Sequence, residues 1–108
     1  VLVCISHTGR TKALCEIAAI AHNNKATVIG ITAPNSPLSE NCQFTVSTNV
    51  PEDTDQYMPM ASRIAQLVLI DAIIAGYTLQ RGPKFREKLA RVKEGLKGSR
   101  YSKQATTK

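Results

Sequence analysis

The sequence has no tryptophan, only two phenylalanines and three tyrosines, so its core has to be built from aliphatic side chains. Cysteine is scarce as well. Cys4, Cys15 and Cys42 are odd in number and none forms a C-x-x-C pair. A metal site or a nucleophilic thiol would need partners that the sequence does not offer. The three read as small buried hydrophobes in a reducing compartment. No basic run precedes the opening VLVCI and no small-residue cleavage site follows it, so it does not read as a secretory signal. Long hydrophobic runs are missing too. The longest, Leu67 to Ala75, is interrupted by Asp71 and is too short to span a bilayer. These absences point to a cytoplasmic protein with no membrane partner. No internal repeat is visible, and no residue cluster calls for a cofactor or a metal.

What remains is ordinary for a soluble domain. The chain has 108 residues, of which 43% are hydrophobic and 20% charged. That length suits one compact domain. The net charge of +6 is unevenly spread. Residues 1–83 carry five Lys/Arg against six acids, whereas residues 84–108 carry nine Lys/Arg against Glu87 and Glu94. The basicity belongs to the C-terminal end.

Val1 to Ile5 is a continuous apolar run, the pattern of a strand covered on both faces. It starts without a cap, a turn or an initiator methionine, so further sequence is expected upstream. Ser6 to Arg10 (SHTGR) reads as a turn, and a helix is expected from about Thr11 to Asn23. Its apolar face is assigned to Leu14, Ile17, Ala18 and Ala21. Ala26 to Thr32 reads as a second buried strand. Strand, helix and strand within 32 residues make a βαβ unit with parallel strands. Ser36-Pro37 reads as the N-cap and first residue of a short helical turn. Phe44 to Ser47 is a third strand. An acidic loop, 48–58, leads into a long helix over 59–79, apolar on most sides and expected to be largely buried. A last helix over 84–97 places Phe85, Leu89, Val92 and Leu96 on a narrow apolar stripe. Residues 1–98 are read as the domain and 99–108 as a flexible basic tail.

The informative segment is VLVCISHTGRTKAL, a strand running through a hydroxyl- and glycine-containing turn into a helix. Ligands of parallel sheets bind at such strand ends. The first N–H groups of the helix are unsatisfied and attract an anion, above all a phosphate. Ser6, Thr8 and Thr11 add hydroxyls, and Gly9 lets the backbone approach closely. The segment has neither the G-K-[ST] of a P-loop nor G-x-G-x-x-G, so no nucleotide is expected. The residues alone leave a plain alternative open: Thr8 as an ordinary helix cap and Gly9 as an ordinary turn residue.

Ser6-His7-Thr8-Gly9-Arg10-Thr11 resembles the S-x-[ST]-G-x-T motif of SIS (sugar isomerase) domains. Ser62-Arg63-Ile64-Ala65-Gln66-Leu67 with Ile70-Asp71 is similar to a helix of the SIS domains of RpiR-family transcriptional regulators. Val50 to Asp55, Tyr57 to Met60 and Gly82 to Arg86 are similar to a branch of that family that represses hexose catabolism genes. The resemblance covers nearly all of residues 1–101. It implies an α/β fold, a three-layer sandwich with a parallel sheet flanked by helices, here truncated at its N-terminus. It implies a sensor and not an enzyme. The effector would be a phosphorylated sugar or sugar acid, keto-deoxy-phosphogluconate in that branch. Ser6, Thr8, Gly9 and Thr11 would line the phosphate site, with His7 and Arg10 as further candidates. DNA would be bound only through a helix-turn-helix domain upstream, which this chain lacks. Loss of sheet strands would leave a surface for a homodimer or higher homo-oligomer.

Other residues carry weaker expectations. His7 beside Ser6 is not a Ser–His nucleophile, because neighbouring side chains at a strand end point apart and no carboxylate orients the imidazole. His22 reads as a surface residue. Glu52, Asp53 and Asp55 lie on the acidic loop, from which one, such as Glu52, can reach a ligand; the alternative is a solvated loop. Arg63 on a buried helix needs a partner, either an acid of its own domain or a ligand or second subunit. The basic last helix reads as a packing or dimer helix, with only salt-dependent, non-specific attraction to DNA. The competing function is a sugar-phosphate isomerase of the SIS type, which needs a general base that no residue clearly provides.

Overall fold

The computed structural model describes residues 1–51, 60–99 and 101. The chain divides into two compact units, Val1–Ile70 and Asp71–Lys108. The first holds strand β1 (Leu2–Ser6), helix α1 (Lys12–Asn23), strands β2 (Val28–Thr32) and β3 (Phe44–Ser47), and the start of helix α2 (Ala61–Arg81).

The three strands form one parallel sheet in the order β1-β2-β3. Cys4 faces Gly30 and Ser6 faces Thr32 across the first pair, and Thr32 faces Ser47 across the second. The strands therefore end together, and the sheet presents a row of hydroxyls at its carboxyl edge. α1 crosses over between β1 and β2, as the spacing requires of parallel neighbours.

The core lies between α1 and the sheet. Cys4, Ala18, Val28 and Leu38 are fully covered there, and Leu2, Leu14, Cys15, Ala21 and Cys42 pack against them. Gly30 belongs to the same layer: a Cβ on it would stand 2.8 Å from Cys42 Sγ. The missing side chain makes room for that thiol. Ile17 was expected in this layer but is 50% exposed. At 100° per residue the covered arc runs from Ala21 to Cys15 and is centred on Ala18, which puts Cys15 about 60° and Ile17 about 100° from its middle.

The other face of the sheet is less covered. Ile31 is buried, but Val3 and Ile5 are 52% and 38% exposed. The apolar run of β1 is thus covered on one face, not on both. A cavity of about 300 Å³ on the open side is lined by Ile5, Arg63, Gln66, Leu67 and Ile70. α2 was expected to be largely buried, yet only Ser62 is. Ile64, Leu67 and Val68 are each more than 60% exposed. A helix that is apolar on most sides needs partners around it; beyond Ser62 it is only half-buried, at Ala65, Gln66, Leu69, Ile70 and Thr78. By length and composition alone α2 is long and apolar enough to cross a membrane. Arg63 is correspondingly exposed and has no ion pair among the described residues. The premise that burial forces a partner on it does not hold.

The second unit holds the end of α2 and helix α3 (Pro83–Gly95), which starts with proline at its first position. Tyr77 and Phe85 meet edge to face at 5.6 Å. The Arg81 guanidinium lies over both rings, 5.7 and 5.2 Å from their centroids. Phe85 is half-buried by these contacts, whereas Leu89, Val92 and Leu96 remain exposed. Of the tail, Arg100 and residues 102–108 lie outside the described residues.

Candidate functional site

The turn between β1 and α1 is held from both ends. The Gly9 N–H donates to Ser6 Oγ at 3.1 Å. The Gly9 carbonyl accepts from the Leu38 N–H at 3.0 Å and from the Cys15 thiol at 3.7 Å. Gly9 is buried with φ 64°, in the left-handed region. A Cβ there would fall against Ser36 Oγ, and 2.6 Å from Thr32 Oγ1. Only glycine fits, for both reasons at once.

The loop behind Gly9 is rigid in its own right. The Ser36 N–H donates to Ser39 Oγ at 2.8 Å and the Ser39 N–H donates to Ser36 Oγ at 3.3 Å. This reciprocal pair works like a capping box, with serine in the place of the usual glutamate. The short 3₁₀ turn covers Ser39–Asn41 with Leu38 at its N-cap position, so Ser36 and Pro37 are not its cap and first residue; Ser36 braces the loop just before it. Leu38, fully buried, anchors this loop in the core and presents its N–H to Gly9.

The expected site residues fall into two groups. Ser6 and Gly9 are buried and shape the turn. Ser6 Oγ accepts one bond there and keeps its own hydrogen to donate. Thr8, Arg10 and Thr11 are exposed around the start of α1. Thr11 occupies the N-cap position in an extended conformation, and no side chain caps the helix. Thr8 Oγ1 accepts only a long bond, 3.4 Å, from the Arg10 N–H. Thr8 is therefore not the cap of α1. The helix N-terminus lies beside the hydroxyls of two exposed threonines and a guanidinium, an arrangement that can receive an anion. His7 is half-buried, and its Nδ1 is covered without a hydrogen-bond partner among the described residues. Glu52, Asp53 and Asp55 lie outside the described residues. His22 is exposed.

Sequence reasoning missed Thr32 and Thr48. Both are buried, and neither hydroxyl has a hydrogen-bond partner among the described residues. A threonine closing a buried strand leaves no periodic signal. The detectable hint was its place at the carboxyl end of a parallel strand.

The thiols are free: Cys4 is buried, while Cys15 and Cys42 are half-buried. Burial, reinforced by the Cys15 thiol, pushes the Cys4 thiol above its ordinary value. Burial, reinforced by the Cys4 and Cys15 thiols, does the same for Cys42. Both are thus held in the protonated, unreactive form. Iodoacetamide at neutral pH is expected to modify them about tenfold more slowly, or worse, than an unfolded control. Mass spectrometry with and without denaturant checks this. No group of His, Cys, Asp or Glu among the described residues is arranged to hold a metal.

Residues 1–76 match the SIS domain family. The HTH-type transcriptional regulator HexR of Escherichia coli is 55% identical over 104 residues, which is 96% of this chain and 36% of that protein. HexR of Pseudomonas aeruginosa is 48% identical over 99 residues, covering 92% of this chain and 35% of that protein. The chain thus spans about a third of the length of these relatives. Among solved structures, Vibrio vulnificus NanR complexed with ManNAc-6P superposes with a TM-score of 0.79 at 23% identity, over 93% of this chain and 38% of that one. The parallel sheet with flanking helices is the fold they have in common.

Proposed function

The chain belongs to the SIS domain family, and from that premise we propose that it is the effector-sensing part of a bacterial transcriptional repressor of hexose catabolism. The effector is a phosphorylated sugar acid, keto-deoxy-phosphogluconate. The observation that carries the reading is the turn at Gly9. It is closed by Ser6, welded to the Leu38 loop, and followed by a helix whose N-terminus no side chain caps. A phosphate monoester is the anion this suits. It accepts hydrogen bonds from the helix N–H groups and from the Thr8 and Thr11 hydroxyls. Arg10 adds charge at the mouth, and His7 lies where the rest of the ligand would run. The identity to HexR supports the regulator, and the phosphorylated sugar bound to NanR supports the ligand class.

The residues hold and orient a ligand but are not set up to transform one. Ser6 Oγ is engaged by the Gly9 N–H, and no base is committed to the reacting carbons of a sugar. The protein acts as a cytoplasmic regulator, not an enzyme. Residues 1–98 form the sensing domain and 99–108 a basic tail. DNA is contacted by a separate helix-turn-helix domain of the longer protein. The open apolar surface of α2 is a packing face in a homodimer or larger homo-oligomer. Ligand binding shifts the population between arrangements of these parts, because it favours one over the other.

A thermal-shift titration with phosphorylated sugars and sugar acids tests the reading, on this chain and on one extended upstream. The expected result is a saturable rise in melting temperature. Thr8→Ala should weaken it about tenfold, the effect of one hydrogen bond to a charged group. No shift in either chain with any sugar phosphate would overturn the reading.

A further inference from the structure

The three strands end in register, with Ser6, Thr32 and Ser47 side by side. The residues that follow them are His7, Ala33 and Thr48. The Thr48 N–H donates to the Thr32 carbonyl at 3.3 Å, which carries the pairing of β3 one residue further and holds Thr48 beside the end of β2. Thr48 is 6% exposed, and its Oγ1 has no hydrogen-bond partner among the described residues. His7 Nδ1, on the far side of the small Ala33, is in the same condition. Buried polar atoms are nearly always paired, and leaving one unpaired is costly. Two such atoms stand at the edge of a parallel sheet where ligands bind. Thr32 Oγ1 is a third, but it lies beneath Gly9, inside the turn.

We propose that Thr48 is a specificity residue of the ligand site: its hydroxyl binds an oxygen at the end of a phosphorylated sugar or sugar acid remote from the phosphate, and His7 Nδ1 binds an oxygen nearer to the phosphate. The inference rests on the phosphate reading above. β1 and β3 are two inter-strand spacings apart, about 9.6 Å. A sugar-acid phosphate anchored at the start of α1 spans such a length, whereas inorganic phosphate does not. Thr48 therefore discriminates between them, and the turn at Gly9 does not.

Calorimetric titration of the chain with keto-deoxy-phosphogluconate and with inorganic phosphate separates the two roles. Thr48→Val keeps the shape and removes the hydroxyl. It is expected to weaken keto-deoxy-phosphogluconate about tenfold, to leave inorganic phosphate unchanged, and to raise the melting temperature of the unliganded chain. Thr48→Ser, which keeps a hydroxyl, should bind within about threefold of the parent. Thr8→Ala should weaken both ligands. Equal binding of keto-deoxy-phosphogluconate by Thr48→Val and the parent overturns the role of Thr48 while the phosphate reading stands. Failure of the parent to bind either ligand, both as this chain and extended upstream, overturns the phosphate reading, and the role of Thr48 falls with it.

Discussion

Gly9→Ala is expected to destabilise the chain by about 2–5 kcal/mol and to abolish the melting-temperature rise with sugar phosphates. Two independent costs meet at this position. A side chain at φ 64° is disfavoured by about 1–2 kcal/mol. The added Cβ also has to displace the Ser36 side chain, whose Cβ would be 2.5 Å away, and the Thr32 hydroxyl at 2.6 Å. Neither neighbour can yield freely. Ser36 is tied to Ser39 by reciprocal bonds, and Thr32 closes the central strand. Overpacking of this kind costs about 1–3 kcal/mol. The alternative is for the turn itself to move. That would break the bonds to Ser6 and Leu38 and turn the first amides of α1 away from the anion site. Urea unfolding followed by circular dichroism measures the first effect, and a thermal-shift titration the second. A variant with parental stability and parental ligand response would show that the turn tolerates a side chain, contrary to its geometry.

Leu38→Ala is expected to cost about 2–5 kcal/mol, the range for truncating a fully buried leucine. Leu38 has 0% exposure and packs with Cys4, Ala18 and Val28. The vacated space is bounded by α1 and by the sheet, both held by backbone bonds, so it can collapse only partly. Domains of this size are stable by about 5–15 kcal/mol in all, so the loss is a large fraction of the total. Its functional consequence follows from the Leu38 N–H, which holds the Gly9 carbonyl. A loosened loop loosens the turn, and ligand affinity is expected to fall although residue 38 touches no ligand. The denaturation midpoint should drop with its slope unchanged. Ile20→Ala is the control: at 62% exposure it should shift stability by no more than about 0.5 kcal/mol. Equal losses at the two positions would mean that the core is not where the packing places it.

Local patterns announced the elements well. The runs Val1 to Ile5 and Ala26 to Thr32, with a helix between them, point to a parallel unit because the crossover has the length of a βαβ connection. The position of the turn was legible for a related reason. A turn with Ser6, Thr8, Gly9 and Thr11 between a strand and a helix advertises its chemistry in consecutive residues. Arg63 and Ile17 were misjudged because periodicity names a face without saying what lies against it. α2 shows the same limit. Its composition demands a covering surface, and the described residues provide only part of one.

Chain order and residue type were enough for the βαβ unit and the position of the turn, since each depends on contacts within a few residues. The necessity of glycine at position 9 came from the fold, because Ser36 and Thr32 reach it from segments far along the chain. The link from Leu38 to the turn came from the fold as well, as did the burial of the Thr48 hydroxyl beside β2 without a partner among the described residues. Long-range contacts of this kind arise when strands align and loops close. A lone Ser, Leu or Thr in sequence carries no mark of the partner that folding will give it or withhold.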